Sequence, residues 1–316
     1  MKLPIKQIAI AASLMLAVTM AGAVSTQCLD KHYTLQLLGS GGPMLGDARA
    51  SSGTLLWWND KSSILIDAGG GVFLRFSQAG GKVEDLDFLG ITHFHADHSS
   101  DLAALIKAGY FTSRKGSLAL AGPSGKAPFP SLSEYFHALF NPKTGAYAYL
   151  SGVYDGSDGL FPVTLTDVDI SKATPTKVFE NANFTIWALG VPHGDVPALA
   201  YRIDSPRGRI VISGDQNGTN PAFLKFARGA DVLVMPLAID QEAASDLHAQ
   251  PSTIGKIAET INPRMLILNH LMGRGLYQKN ESIKVIKKYY HGAIFAGRDL
   301  ACYPLPTQQE NTHEKK

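Results

Sequence analysis

Short apolar runs bounded by Gly, Asp or Asn fill the first third of the chain, at 33–38, 53–58, 63–67 and 88–92, and predict β-strands. Patterns with helical spacing then interleave with further apolar runs. Helices are expected at 71–79, 101–108, 131–140, 221–227, 252–261 and 282–290, and strands at 184–189, 199–203, 209–213, 231–235 and 265–268. This mixture of strand runs and single helices predicts an α/β fold of two sheets with helices outside them. Residues 142–175 resist the pattern. They are rich in Gly, Asp, Ser and Tyr and have only brief apolar runs, so they are expected to form a long loop, read either as a cap over the site or as a short hairpin without a role. No period of a repeat architecture recurs.

The two ends are set apart by composition. Lys2 and Lys6, an apolar run from Ile8 to Val18 and the small residues Ala21, Gly22 and Ala23 match a signal peptide over 1–23. The apolar run is shorter than the roughly 20 residues that span a bilayer, so cleavage and a periplasmic or secreted destination, with no transmembrane anchor left, are expected. The polar segment 307–316 is expected to be a flexible tail, leaving 24–306 as the working domain. Two of the 29 basic residues lie in the leader, so 27 remain against 27 acidic ones. Gripping a phosphate backbone ordinarily needs a basic excess; electroneutrality therefore disfavours a nucleic-acid polymer as partner. A small-molecule ester fits better, and a second copy of the chain is a further candidate partner. The two cysteines, Cys28 and Cys302, would pair in an oxidising compartment, or remain as two buried thiols.

The chemistry concentrates in Thr92-His93-Phe94-His95-Ala96-Asp97-His98, which follows the apolar run at 88–91. A loop leaving a strand can aim His93 and His95 to one side, while Asp97 and His98, on the turn into the next helix, reach a second point nearby. Imidazole and carboxylate are ligand types suited to Zn²⁺. Neither glycine-rich stretch, 39–42 or 69–71, carries the Lys-Ser/Thr ending of a nucleotide-binding loop.

The string resembles the HxHxDH signature of the metallo-β-lactamase superfamily. The resemblance extends to Ile66-Asp67-Ala68-Gly69, to Val191-Pro192-His193-Gly194, to Ser213-Gly214-Asp215 and to Leu268-Asn269-His270, in the family's order. It implies an αββα sandwich of two mixed sheets flanked by helices, and two zinc ions, with manganese or iron as alternatives. One ion would be held by His93, His95 and His193, and the other by Asp97, His98 and His270. Asp215 would bridge them, and a hydroxide between the ions would attack an ester.

Retention of Asp215 disfavours the β-lactamase branches, and retention of His95 disfavours redox iron. The likeness is strongest to the phosphodiesterase branch that includes the tRNA 3′-processing endonuclease, whose extra histidine corresponds to His248 in Asp246-Leu247-His248-Ala249-Gln250. His248 is then expected to protonate a leaving oxygen or to stabilise developing charge, and Asp97 and His248 are the candidate catalytic residues. The acidic-histidine motif of that branch is replaced here by Met235-Pro236-Leu237-Ala238, so Asp240 or Glu242 would have to partner His248. The implied activity is hydrolysis of a small phosphodiester. An arylsulfatase of the same fold is the alternative, with a lactonase, a β-lactamase or a non-catalytic zinc-binding protein behind it.

Overall fold

The computed structural model describes residues 28–305; the expected leader 1–23 and tail 307–316 lie outside that range. The first sheet is built from β1 (Tyr33–Gly39), β2 (Gly53–Trp58), β3 (Lys61–Ile66), β4 (Phe88–Gly90), β5 (Leu118–Pro123) and β6 (Val163–Val168). The second comprises β7 (Thr176–Glu180), β8 (Thr185–His193), β9 (Val196–Ser205), β10 (Gly208–Ile212), β11 (Val232–Pro236), β12 (Met265–Asn269) and β13 (Ala293–Ala296). A last strand, β14 (Cys302–Pro304), returns to pair with β1, so each sheet has seven strands. Both sheets are mixed. In the first, β14, β1, β2 and β3 run antiparallel and β3 to β6 parallel; in the second, β7 to β10 run antiparallel and β10 to β13 parallel.

The helices are α1 (Val72–Gln78), α2 (Ala96–Ser99), α3 (Leu102–Gly109), α4 (Leu132–Phe140), α5 (Pro221–Phe226), α6 (Pro251–Ile261), α7 (Gly273–Tyr277) and α8 (Lys279–Ile286). Three apolar layers follow from strand alternation, because successive side chains point to opposite faces. Leu35, Leu37, Leu56, Ile64 and Ile66 meet Ile186, Tyr201, Ile203, Ile210 and Val232 between the sheets. Leu55, Leu65 and Leu89 face Leu105, Ile106 and Phe136 of the helices on one side. On the other side Val211, Leu233 and Leu266 pack against Phe223, Ile257 and Ile286. Strands buried on both faces read as continuous apolar runs rather than alternating ones. The expected αββα sandwich is therefore what the chain forms.

Residues 142–175 are not a structureless loop. They contain a 3₁₀ turn over Ala148–Tyr154 and the edge strand β6, and Leu150, Val153, Phe161 and Val163 are buried in the helix-side core. Cys28 and Cys302 form a disulfide, with Cα atoms 5.7 Å apart, that ties the first described residue to β14. Among the described residues no helix is long and apolar enough to cross a membrane.

Candidate metal centre

The predicted metal ligands and Asp67 lie beyond the C-terminal end of a strand or at its last position, and His248 lies farther along a loop. Asp67 follows β3; His93, His95, Asp97 and His98 follow β4; His193 ends β8; Asp215 follows β10; His248 lies in the loop after β11; His270 follows β12. In sheets with parallel strands, such ends converge on one crevice. The two sheets are locked together at this level. Leu199 of β9 donates its N–H to the Thr92 carbonyl (2.9 Å), and the buried Tyr201 hydroxyl donates to the carbonyls of Ile91 and Ala121, each at 3.0 Å. Glycines allow the close approaches. A Cβ on Gly69 would lie 2.0 Å from the Asp97 carbonyl oxygen, and one on Gly42 would lie 2.8 Å from both the His270 ring and the Met272 sulfur.

The side chains gather into two neighbouring groups. His93 Nε2 is 3.0 Å from His95 Nδ1, which is 3.4 Å from His193 Nε2. His270 Nε2 is 3.0 Å from Asp97 Oδ2, and His98 Nε2 is 3.4 Å from the same oxygen. Asp215 stands between the groups, its Oδ2 at 3.1 Å from His270 Nε2 and 3.4 Å from His98 Nε2, and it also groups with His93. His93, His98, Asp97, His193, Asp215 and His270 are all buried, and His95 is half-buried.

Outer partners fix which ring nitrogens face inward. The Leu247 carbonyl accepts from His193 Nδ1–H (2.8 Å), so Nε2 carries the lone pair. Asp67, buried and held in the left-handed region (φ 66°), accepts from His98 Nδ1 (2.9 Å), from the Thr92 N–H (2.7 Å) and from the Thr92 hydroxyl (3.0 Å). With its proton given to Asp67, the Thr92 hydroxyl accepts from His93 Nδ1 (3.1 Å). One carboxylate thus orients two imidazoles, a role the sequence left unassigned although Asp67 stood inside a matched motif. No local spacing signals it, because the partners lie 25 and 31 positions away.

Electrostatics argue for cations here. Burial pushes His93 well below its ordinary value and lowers His95 and His193 as well, so these rings are neutral and present lone pairs. Burial opposes charge on Asp97 and Asp215 too. For Asp97, hydrogen bonds from His270 and His98 outweigh it; for Asp215, the charges of His270 and His98 do, and both carboxyls are held well below the usual carboxylate range. His98 is pulled well above its ordinary value, against burial, by Asp215 and Asp67. A proton on His98 supplies positive charge that the site otherwise lacks. Converging imidazole lone pairs and two ionised carboxylates, with outer partners in place, make a donor set that fits divalent metal ions.

His248 lies beside this set. Its ring centre is 5.3 Å from that of His193 and 5.4 Å from that of His270, and its Nδ1 is 3.9 Å from Asp215 Oδ2. The partner expected in Asp240 is engaged elsewhere. Asp240 pairs with Arg274 Nε (2.5 Å) and accepts from the N–H groups of Glu242 and Ala243. Among the described residues neither Asp240 nor Glu242 hydrogen-bonds His248.

Residues 62–271 match the model of the beta-lactamase superfamily domain. The chain is 26% identical over 311 residues to a ribonuclease Z of Methanosarcina acetivorans, covering 87% of this chain and 99% of the relative. It is 24% identical over 283 residues to a ribonuclease Z of Mycobacterium bovis, covering 84% and 96%. Among solved structures, the metallo-β-lactamase fold protein YhfI of Bacillus subtilis superposes with a TM-score of 0.67 at 22% identity, covering 86% of this chain and 98% of that one. The short form of human tRNase Z gives 0.67 at 17% identity, covering 86% and 99%, and a diphosphatase of the PhnP family gives 0.60 at 16%, covering 87% and 100%.

These relatives overturn the expectation that disfavoured a nucleic-acid polymer. Relatives matching most of the chain are named for action on RNA. The physical error was to argue from net charge: a polypeptide's charge count leaves out bound cations, often the largest local charges in a site. With the family model spanning two-thirds of the chain and the ligand motifs folded into one buried cluster, the chain belongs to the beta-lactamase superfamily as a metal-dependent hydrolase of the metallo-β-lactamase fold.

Proposed function

We propose that the chain is an exported two-zinc phosphodiesterase. The observation that carries this reading is the position of Asp215, whose carboxylate reaches both ligand groups at once. His93, His95 and His193 would hold one ion and Asp97, His98 and His270 the other. When bound, a zinc pair lowers the pKa of a water toward about 7 and offsets charge on the entering and leaving oxygens of an in-line displacement. The chain's own residues prepare the site. Asp67 and Thr92 hold His98 and His93 with Nε2 inward, Leu247 does the same for His193, and burial keeps bulk water from these hydrogen bonds.

Phosphorus rather than sulfur is favoured as the ester centre by the names of the similar proteins, which include ribonuclease Z and a diphosphatase. Export rests on the leader at 1–23 and is supported by the Cys28–Cys302 bond, since disulfides persist in oxidising compartments. The test is a paired assay of zinc-loaded protein on bis(nitrophenyl) phosphate, nitrophenyl sulfate and an RNA with an extended 3′ end. Metal-dependent cleavage of the phosphodiester without cleavage of the sulfate is expected, and the RNA arm sets the size of substrate accepted. Turnover of the sulfate alone would overturn the proposal.

A further inference from the structure

Building on the phosphodiesterase reading above, we propose that the exposed rings of Tyr110, Phe111, Tyr147 and Tyr149 form a stacking face for the bases of a single-stranded nucleic acid whose scissile phosphodiester lies at the metal centre.

These rings form one cluster around one cation. Lys107, near the end of α3, holds its Nζ 4.1 Å from the ring centre of Tyr110, 5.0 Å from that of Phe111 and 5.6 Å from that of Tyr149, and the Tyr147 ring centre is 6.5 Å from that of Tyr149. Phe111 is 76% exposed and Tyr149 65%. Apolar surface gathered in one exposed place marks an interaction site. Its chemistry selects the occupant. Among the described residues the exposed large aliphatic side chains, Leu29, Met44, Leu45, Leu74 and Leu247, come from neither α3, α4 nor the 3₁₀ turn Ala148–Tyr154. A lipid-facing surface would carry such residues, and the core of a protein interface is depleted in lysine. Rings set around an ammonium suit a polyanion bearing planar groups, because every base has a π-face to stack and every phosphate a charge to pair.

The cluster is continuous with the metal centre. Phe94, between the predicted ligands His93 and His95, stacks on Tyr135 of α4 with ring centres 4.6 Å apart and planes 21° from parallel. The Tyr135 hydroxyl donates to the carbonyl of Ser99, the residue after His98 (3.2 Å). Farther along α4, the buried Phe140 packs against Tyr147, their ring centres 6.5 Å apart. The outer rings follow α3, which begins at Leu102, close behind His98. At about 1.5 Å rise per residue, Tyr110 stands on the order of 12 Å beyond Leu102. Stacked bases repeat every ~3.4 Å, so this is the span of about three or four nucleotides.

The rings are also displayed from a fixed frame. The Gly109 carbonyl accepts from the Thr112 N–H (3.1 Å) and the Thr112 hydroxyl (2.7 Å), and Arg114 Nη1 donates to the carbonyls of Val83 (3.0 Å) and Leu86 (2.6 Å). A Cβ on Gly109 would lie 2.1 Å from the buried Phe161 ring, so the end of α3 sits hard against the core beneath it. Across the cluster, the Ala146 N–H donates to the Ala138 carbonyl (3.0 Å) and the Tyr147 N–H to the Leu139 carbonyl (2.6 Å), which folds this segment back onto α4. Side chains held in this way lose little freedom on binding, so more of the stacking energy appears as affinity.

The experiment uses the zinc-loaded chain with a hexa-adenylate RNA, the same RNA with abasic residues in place of its bases, and bis(nitrophenyl) phosphate. In Phe111→Ala and in Tyr149→Ala, the preference in kcat/KM for hexa-adenylate over the abasic chain should fall by about 5–150-fold, the worth of one base–aromatic stack. Lys107→Gln should make the dependence of the hexa-adenylate KM on salt shallower by about 0.7 in log–log slope, the value of one phosphate contact on a single strand. Tyr149→Trp gives a readout free of turnover: the emission it adds should be quenched by hexa-adenylate and not by the abasic chain. If wild-type protein leaves bis(nitrophenyl) phosphate intact, the parent reading fails, and the quenching then decides the stacking face by itself. An unchanged preference in both alanine variants with no quenching overturns the proposal. So does a change of oligomeric state in those variants with the preference unchanged, which would give the face to a second copy of the chain.

Discussion

Asp67→Asn separates the outer support of the metal centre from its ligands. The substitution keeps shape and volume but replaces a carboxylate that accepts three hydrogen bonds, from His98 Nδ1, the Thr92 N–H and the Thr92 hydroxyl. If the amide oxygen takes the Oδ1 place and keeps the Thr92 N–H, its NH₂ takes the Oδ2 place and faces both the Thr92 hydroxyl and His98 Nδ1, which must then accept. The His98 proton moves to Nε2, the nitrogen now 3.4 Å from Asp97 and Asp215, and the ring can no longer ligate. Losing a charged hydrogen bond costs about 1.5–3 kcal/mol of folding free energy. An outer partner of this kind contributes roughly 10–100-fold to metal affinity, equivalent to about 1.4–2.7 kcal/mol. Chelator competition should show both metal equivalents weakened, the one at His98 directly and the one at His93 through Thr92. Denaturant unfolding of the metal-free protein should show the stability loss separately. Two equivalents bound with wild-type affinity would refute the claim that Asp67 sets the His98 tautomer.

Gly42→Ala should weaken the metal site, because its Cβ would press within 2.8 Å of the His270 ring; a volume clash of this sort costs roughly 1–3 kcal/mol, and unchanged metal content would contradict it. Chelation should abolish hydrolysis and lower the melting temperature, since metal at a hundredfold over its dissociation constant stabilises by about 2.7 kcal/mol; a melting temperature indifferent to chelator would refute this. In the metal-free protein burial lowers His248 to about 4 from 6.5, so the unfolded chain binds the extra proton first, and stability present above pH 6.5 falls as pH drops toward 4, by about 3 kcal/mol for this ring. Metal-free His248→Asn should show a shallower fall in denaturant titrations over that window, and an identical slope would remove His248 as the source. Reducing the Cys28–Cys302 bond, which closes a separation of 274 residues, should destabilise the chain by about 5.6 kcal/mol in the chain-entropy model, measured by denaturant unfolding with and without reductant.

What could be read from the sequence, and what could not, follows from the range of the interactions. Strands buried on both faces, such as β2, β3, β10 and β11, announce themselves as apolar runs, and α4 carries its own start signal in the Ser131–Glu134 capping box. The strands that were missed are weak in their own right. The β5 sequence Leu-Ala-Leu-Ala-Gly-Pro ends in two breakers, β6, β7 and β14 are edge strands of mixed polar and apolar residues, and β13 is an edge strand whose apolar run, Ala-Ile-Phe-Ala, is only four residues long. Their pairing is imposed by the neighbouring strand.

The same division runs through the site. His93, His95, Asp97 and His98 are legible because one strand end aims all four, so their spacing alone carries the chemistry. The tautomers of His93, His98 and His193 depend instead on Asp67, Thr92 and the Leu247 carbonyl, and the last of these is joined to His193 across 54 positions. A backbone carbonyl has no sequence signature, so no reading of residue types could have found it. His248 is the sharpest case. Its neighbours in the sequence suggested Asp240 or Glu242 as its partner, whereas in space Asp240 is paired with Arg274 and His248 stands beside His193, His270 and Asp215. Where a role is set by which partner is already occupied, only the three-dimensional hydrogen-bond count can assign it.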